Sequence, residues 1–181
     1  MPVGVLALQG GYDAHGRALC DVGCEVRLVR TPEALDGLDG LVLPGGESST
    51  HLLLIERYGL TEPLDAFVRS GRPVLCTCAG LILAARSVTG PEQCSFGWLD
   101  VDVARNAWGR QVHSFQATSD GARPMLFIRA PRLTRIGEGV EVVDTYDGEP
   151  VMVRQGAVVG AAWHPELTAD RGVHRALFAG K

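Results

Sequence analysis

No apolar run in the sequence approaches the length needed to cross a bilayer, so no membrane-spanning helix is expected. There is no basic run either. The 17 Lys and Arg residues are dispersed and the net charge is −4, a balance with no general attraction for nucleic acid or acidic membrane surfaces. Paired zinc-ligand spacing is missing. The five cysteines, Cys20, Cys24, Cys76, Cys78 and Cys94, are odd in number, and His113 and His174 have no ligand-like spacing to another His or Cys. Gly10-Gly11 lacks the G-x-G-x-x-G pattern, which makes a dinucleotide fold a poor fit. Repeats, low-complexity stretches and linkers are also lacking, so a single domain over residues 1–181 is expected. Met1 to Leu8 is apolar but has no basic leader and too short a core for a signal peptide. With cysteine usage that suits a reducing compartment, the expectation is a cytoplasmic protein without metal or cofactor.

What is present is alternation. Val3 to Leu8, Cys24 to Val29, Gly40 to Leu43 and the run ending at Cys78 read as buried strands. Between them lie helical stretches from Tyr12 to Val22, from after the loop Pro44 to Thr50 through about Tyr58, and from Thr61 to Gly71, with a short helix start at Thr31-Pro32-Glu33. This rhythm predicts an α/β fold: a mostly parallel, flavodoxin-like sheet in three layers, with helices on both faces. After Pro91 the character changes. Leu99 to Ala104, Gln111 to Gln116, Leu126 to Arg129, Val140 to Tyr146, Pro150 to Arg154 and Ala157 to Ala162 read as short strands of an antiparallel extension, followed by a helix from about Asp170 to Ala179.

Ligands of such sheets bind at the carboxyl ends of the strands, where Gln9, Gly46 and Cys78 all fall. Cys78 stands where a strand meets a helix beginning near Leu81 to Arg86, with Gly80 just after it. A nucleophile on that turn projects into a cleft, and the positive end of the helix dipole favours its thiolate. The plainer reading is a packing cysteine. His164 and Glu166 flank Pro165, which restricts His164 to extended conformations and allows Glu166 to orient its ring. Cys78, His164 and Glu166 can then act as nucleophile, base and orienter. Pro44-Gly45-Gly46 allows close approach of backbone N–H groups, so Gly46 with Ala79 could hold an oxyanion. The plainer reading there is a glycine turn before a helix capped by Ser48 or Ser49. His51, in an apolar helix, reads as a surface or boundary residue, and Trp98, Trp108 and Trp163 as core or cleft walls.

Together, Thr77-Cys78-Ala79-Gly80, Pro44-Gly45-Gly46-Glu47-Ser48 and His164-Pro165-Glu166-Leu167 resemble the class I glutamine amidotransferases. Leu8-Gln9-Gly10, Arg105-Asn106 with Gly109-Arg110-Gln111, and Ile128-Arg129-Ala130-Pro131 narrow the resemblance to glutaminase subunits of pyridoxal 5′-phosphate synthases. The resemblance implies hydrolysis of L-glutamine through a glutamyl thioester on Cys78. It implies a pocket lined by Gly46, Glu47, Ser48, Arg105, Ile128 and Arg129, and a synthase subunit that receives the ammonia and docks near Gln9. Ala14 and Ala104 depart from the family pattern and bear on partner contacts or the pocket rim. Two other readings stay open: a different cysteine hydrolase or another amidotransferase, such as a histidine-biosynthesis glutaminase, and a catalytically silent homologue acting as a binding or regulatory subunit.

Overall fold

The computed structural model describes residues 1–107 and 114–179. In chain order the first half comprises β1 (Pro2–Leu6), α1 (Tyr12–Asp21), β2 (Glu25–Val29), a 3-10 turn (Pro32–Leu35), β3 (Gly40–Leu43), α2 (Ser48–Arg57), α3 (Thr61–Arg69), β4 (Val74–Thr77) and α4 (Ala79–Ala84). The second half comprises β5 (Ala85–Thr89), β6 (Leu99–Ala104), β7 (Phe115–Thr118), β8 (Pro124–Phe127), β9 (Arg132–Ile136), β10 (Glu141–Tyr146), β11 (Glu149–Gln155), β12 (Val158–Ala161), a second 3-10 turn (Pro165–Leu167) and α5 (Gly172–Phe178).

Every residue of β3, β4 and β12 is buried, which is why these segments read as continuous apolar runs. They form the middle of a seven-stranded sheet ordered β10-β11-β12-β4-β3-β1-β2. From β2 to β12 neighbouring strands are parallel, and β11 and β10 continue antiparallel at one edge. Helices cover both faces. α1 lies on β1 and β2 and meets α5, while α4 lies on β3, β4 and β12 and meets α2. Phe127 and Phe178 are fully buried, each contributing on the order of 2 kcal/mol of hydrophobic stabilisation. β5, β6 and β9 form a separate three-stranded sheet, and β7 pairs with β8.

The chain leaves β1 for β2 on one side and returns to β3 on the other, so the carboxyl ends of β1 and β3 part there. Gln9 follows β1, Gly45-Gly46 follows β3, Cys78 follows β4 and His164 follows β12. Four adjacent strands thus deliver four short loops to one crevice.

Several expected boundaries differ. Residues 85–89 and 132–136 form strands where none was expected. α4 stops at Ala84 because Ala85 is already paired with Leu99 of β6, and that pairing overrides the helix preference of Ala and Arg. The strand expected over Leu126 to Arg129 is β8, two residues earlier, and Arg129 turns away at φ 44°. β7 begins at Phe115, one residue after Ser114, and Gln111 to His113 of the expected strand lie outside the described residues, as do Trp108, Gly109 and Arg110. Trp163 is a core residue, and Trp98 stacks on Phe96 with ring centroids 4.5 Å apart.

Candidate active site

The turn between β4 and α4 is strained. Cys78 adopts φ 47°, ψ −101°, a conformation that L-residues rarely take and that costs roughly 1–3 kcal/mol. Two hydrogen bonds hold it: the Cys78 N–H donates to the Ala161 carbonyl at 2.8 Å, and its own carbonyl accepts from Ile82 N at 3.1 Å. Gly80 lets α4 sit against β3, since a Cβ there would stand 2.2 Å from the Leu43 carbonyl oxygen. Ala79, first in α4, is fully buried.

After β12 the His164 N–H donates to the Leu126 carbonyl at 2.9 Å, tying this segment to β8. Extended geometry stops at His164. Pro165 opens the second 3-10 turn, and it is this turn that brings Glu166 back to the ring. His164 Nδ1 and Glu166 Oε1 are 2.7 Å apart, and both side chains are buried. Gly45 fits between the histidine and the cysteine: a Cβ on it would lie 2.4 Å from His164 Cε1 and 3.3 Å from Cys78 Cβ. The Cys78 thiol points to the Ile128 carbonyl at 3.8 Å, and His164 Nε2 has no aligned hydrogen bond. Burial opposes a charge on His164, but neighbouring Cys78 and Glu166 outweigh it and raise its pKa to about 10. Burial likewise opposes charge on Glu166, and His15 and His164 outweigh it, holding the carboxyl below its ordinary range.

A cavity of about 320 Å³ opens over these groups. Cys78, His164 and Glu166 line it, as do Gly46, Glu47, Ser48, Arg105, Ile128 and Arg129. Ala79 and Gln9, the other two site residues expected from the sequence, are set back from it. The Gln9 amide packs against Gly46, where a Cβ would come within 2.6 Å of Gln9 Oε1. α2 is capped by neither Ser48 nor Ser49. The Glu47 carboxylate accepts from Ser49 N at 3.1 Å, Thr50 N at 2.7 Å and Thr50 Oγ1 at 2.8 Å. Against the effect of partial burial, these donors lower its pKa to about 2. Arg105 donates to Glu47 Oε1 at 3.1 Å and to Gln93 Oε1 at 3.0 Å, so its guanidinium is braced at the cavity wall.

Gln93 is a residue the sequence did not flag. Its carbonyl oxygen also accepts from Ser48 Oγ at 2.8 Å and Ser49 Oγ at 3.3 Å. No local pattern marks it, because its partners lie more than ten residues away in either direction. His51 is fully buried rather than at the surface, and neither ring nitrogen has an aligned hydrogen bond. His15 and His174 are also fully buried, and they meet behind Glu166. Among the described residues no group of three or more His, Cys, Asp or Glu is placed to hold a metal ion, and no helix is long and apolar enough to cross a membrane.

The chain matches the SNO glutamine amidotransferase family over residues 5–179. It is 48% identical over 176 residues to the pyridoxal 5′-phosphate synthase subunit PdxT of Geobacillus kaustophilus, covering 94% of this chain and 89% of that protein. It is 50% identical over 179 residues to the subunit of the same name from Koribacter versatilis, covering 96% and 92% of the two chains. A crystal structure described as a glutamine amidotransferase superposes with a TM-score of 0.91 at 45% identity, covering 97% of this chain and 96% of that one. A strained cysteine elbow, a buried His-Glu pair and near full-length similarity agree: the chain belongs to the SNO glutamine amidotransferase family.

Proposed function

We propose that residues 1–181 form one glutaminase domain that hydrolyses L-glutamine to L-glutamate and ammonia. In this reading the ammonia passes to the synthase subunit that makes pyridoxal 5′-phosphate from ribose 5-phosphate and glyceraldehyde 3-phosphate. The observation that carries the reading is the buried His164–Glu166 pair at 2.7 Å beside the strained Cys78. The relatives named as pyridoxal 5′-phosphate synthase subunits support the choice of partner. Five unpaired cysteines suit work in the reducing cytoplasm.

The chemistry follows from the protonation states. A His164 pKa raised to about 10 keeps the ring cationic at neutral pH. Cys78 Sγ, as the thiolate paired with that cation, attacks the side-chain amide carbon of glutamine, and the N–H groups of Gly46 and Ala79 receive the oxyanion. His164 donates its Nε2 proton to the departing nitrogen, which leaves as ammonia and a glutamyl thioester. The same nitrogen then takes a proton from water as hydroxide attacks the thioester, and glutamate is released. Glu166 holds the ring by Nδ1 throughout. Arg105 and Arg129 offer guanidinium groups to the α-carboxylate at the far end of the cavity. Ile128 supplies wall, and Glu47 and Ser48 supply rim beside Arg105. Gln9 lies where a docked synthase subunit could tighten the Gly46 loop.

The test is ammonia release from glutamine by the purified chain, alone and with a pyridoxal 5′-phosphate synthase subunit. The expected result is a rise on mixing that Cys78→Ala abolishes without loss of docking. Equal turnover in Cys78→Ala would remove the nucleophile, and turnover indifferent to the synthase would remove the partner.

A further inference from the structure

Behind the triad lies a second set of buried polar groups that the chemistry above does not use. His15 comes from α1, His174 from α5 and Thr77 from the end of β4, and all three are fully buried. His15 Nδ1 is 3.0 Å from His174 Nε2. His15 Nε2 is 3.0 Å from Thr77 Oγ1 and 3.2 Å from Glu166 Oε2, the carboxylate oxygen turned away from His164. That oxygen has no aligned hydrogen bond of its own, and His174 Nδ1 has none either.

These contacts select one pattern of protons. Burial lowers the His15 pKa to about 4 and the His174 pKa to about 3, so both rings are neutral near pH 7 and each carries a single N–H. If His15 were protonated on Nδ1, its bare Nε2 lone pair would face the Glu166 anion. His174 would then carry its proton on Nδ1, a buried donor without a partner. With both protons on Nε2, His174 donates to His15, and His15 presents its N–H to Thr77 and Glu166. The groups left short are then acceptors alone, His174 Nδ1 and Glu166 Oε2, the latter facing the His15 N–H at 3.2 Å, and this costs less than an orphaned donor. The charged and titratable groups around this pair are Glu166 and His164 on one side and Asp170 and Arg171 on the other.

We propose that His15 and His174 are positioning residues for the triad: their fixed Nε2–H tautomers hold the outer oxygen of Glu166 and so keep its inner oxygen on His164 Nδ1. The proposal rests on the glutaminase reading. His15 acts on the reaction through Glu166, and His174 acts through His15.

Two measurements on the full chain test it. Correlation spectra of ¹⁵N-labelled histidine side chains in the wild-type chain should show His15 and His174 neutral at pH 7, each with its proton on Nε2. Glutamine hydrolysis by His15→Phe, with the synthase subunit present, should lose roughly ten- to hundredfold in kcat with little change in KM. The acidic limb of its kcat profile should move to higher pH, because the Glu166 anion has lost a stabilising N–H. His15→Gln, which can present an amide N–H at the same reach, should recover part of both effects. A His15 proton on Nδ1, or a folded His15→Phe with wild-type kcat and an unmoved acidic limb, overturns the proposal. Should His15→Phe fail to fold, the wild-type tautomers decide alone. A wild-type chain inactive even with the synthase subunit would instead remove the glutaminase reading, and this proposal with it, whatever the tautomers show.

Discussion

Gln9 and Glu47 are joined twice across 38 residues of chain: the Gln9 amide donates to the Glu47 carbonyl at 2.9 Å, and its oxygen accepts from the Glu47 N–H at 3.3 Å. One side chain from the end of β1 thereby clamps the backbone of the loop after β3, and Gly46 is the residue it presses on. Gln9→Ala releases the clamp. We expect kcat for glutamine to fall about tenfold or more, through the oxyanion donor. Stability should fall by only ~1 kcal/mol, since both bonds are partly solvated. Steady-state kinetics beside a urea melt checks this; a large stability loss with unchanged kcat would contradict it.

Gly45→Ala should be worse for the reaction than for the fold. The added methyl would stand 2.4 Å from His164 Cε1, so the ring must swing away from Cys78. Turnover should drop at least about a hundredfold, with the far-ultraviolet circular dichroism unchanged. Turnover near wild type would mean that the ring is not confined by Gly45.

Arg105 is braced by Glu47 and Gln93 before any substrate arrives. Arg105→Ala should therefore raise KM for glutamine by roughly ten- to hundredfold and change kcat less, as expected for a group that binds ground and transition states alike. Gln93→Leu leaves the guanidinium in place but unbraced on one side and should raise KM by a smaller factor. An effect on kcat alone in Arg105→Ala would argue against a substrate-carboxylate role.

Stability should peak near pH 6.5. The pKa of His164 is raised to about 10, so its contribution is fully present below the unfolded value of 6.5 and is lost as pH climbs toward 10. His15, His51 and His174 are shifted the other way, chiefly by burial, to about 4, 4 and 3. As pH drops below 6.5 the unfolded chain takes up protons that these rings refuse, and stability falls. The Glu166 carboxyl, held low, adds to the loss once pH passes its ordinary range toward its folded value. Thermal melts from pH 4 to pH 10 should trace this dome. His51→Leu should make the acid side shallower and His164→Asn should flatten the alkaline side; identical profiles in either variant would refute the assignment.

The parallel sheet was legible in the sequence because its central strands are buried on both faces and read as unbroken apolar runs between helix signals. The strand ends that carry Cys78, Gly46 and His164 were placed for the same reason. From Ala85 onward the reading loosened. β5 and β9 owe their form to pairing with β6, and that pairing leaves no mark in local propensity. Cys78, His164 and Glu166 stood out as candidates because short motifs carry them. Gln93 and His174 did not, and Thr77 was noted only as part of the Cys78 motif, since each meets partners far away in the chain. His51 was misplaced because an isolated polar residue in an apolar helix says little about which face it occupies.

Cys76, inside β4 and paired in register with Leu43, is fully buried, and burial alone pushes its thiol pKa far up. Two residues from Cys78, it therefore offers no thiolate. A sulfenic acid formed on Cys78 by peroxide needs a neighbouring thiolate to be trapped reversibly as a disulfide. The buried strand withholds one, which leaves small soluble thiols as the reversible route and leaves Cys78 open to further, irreversible oxidation. Peroxide should accordingly inactivate the protein without producing a Cys76–Cys78 crosslink in its peptide map.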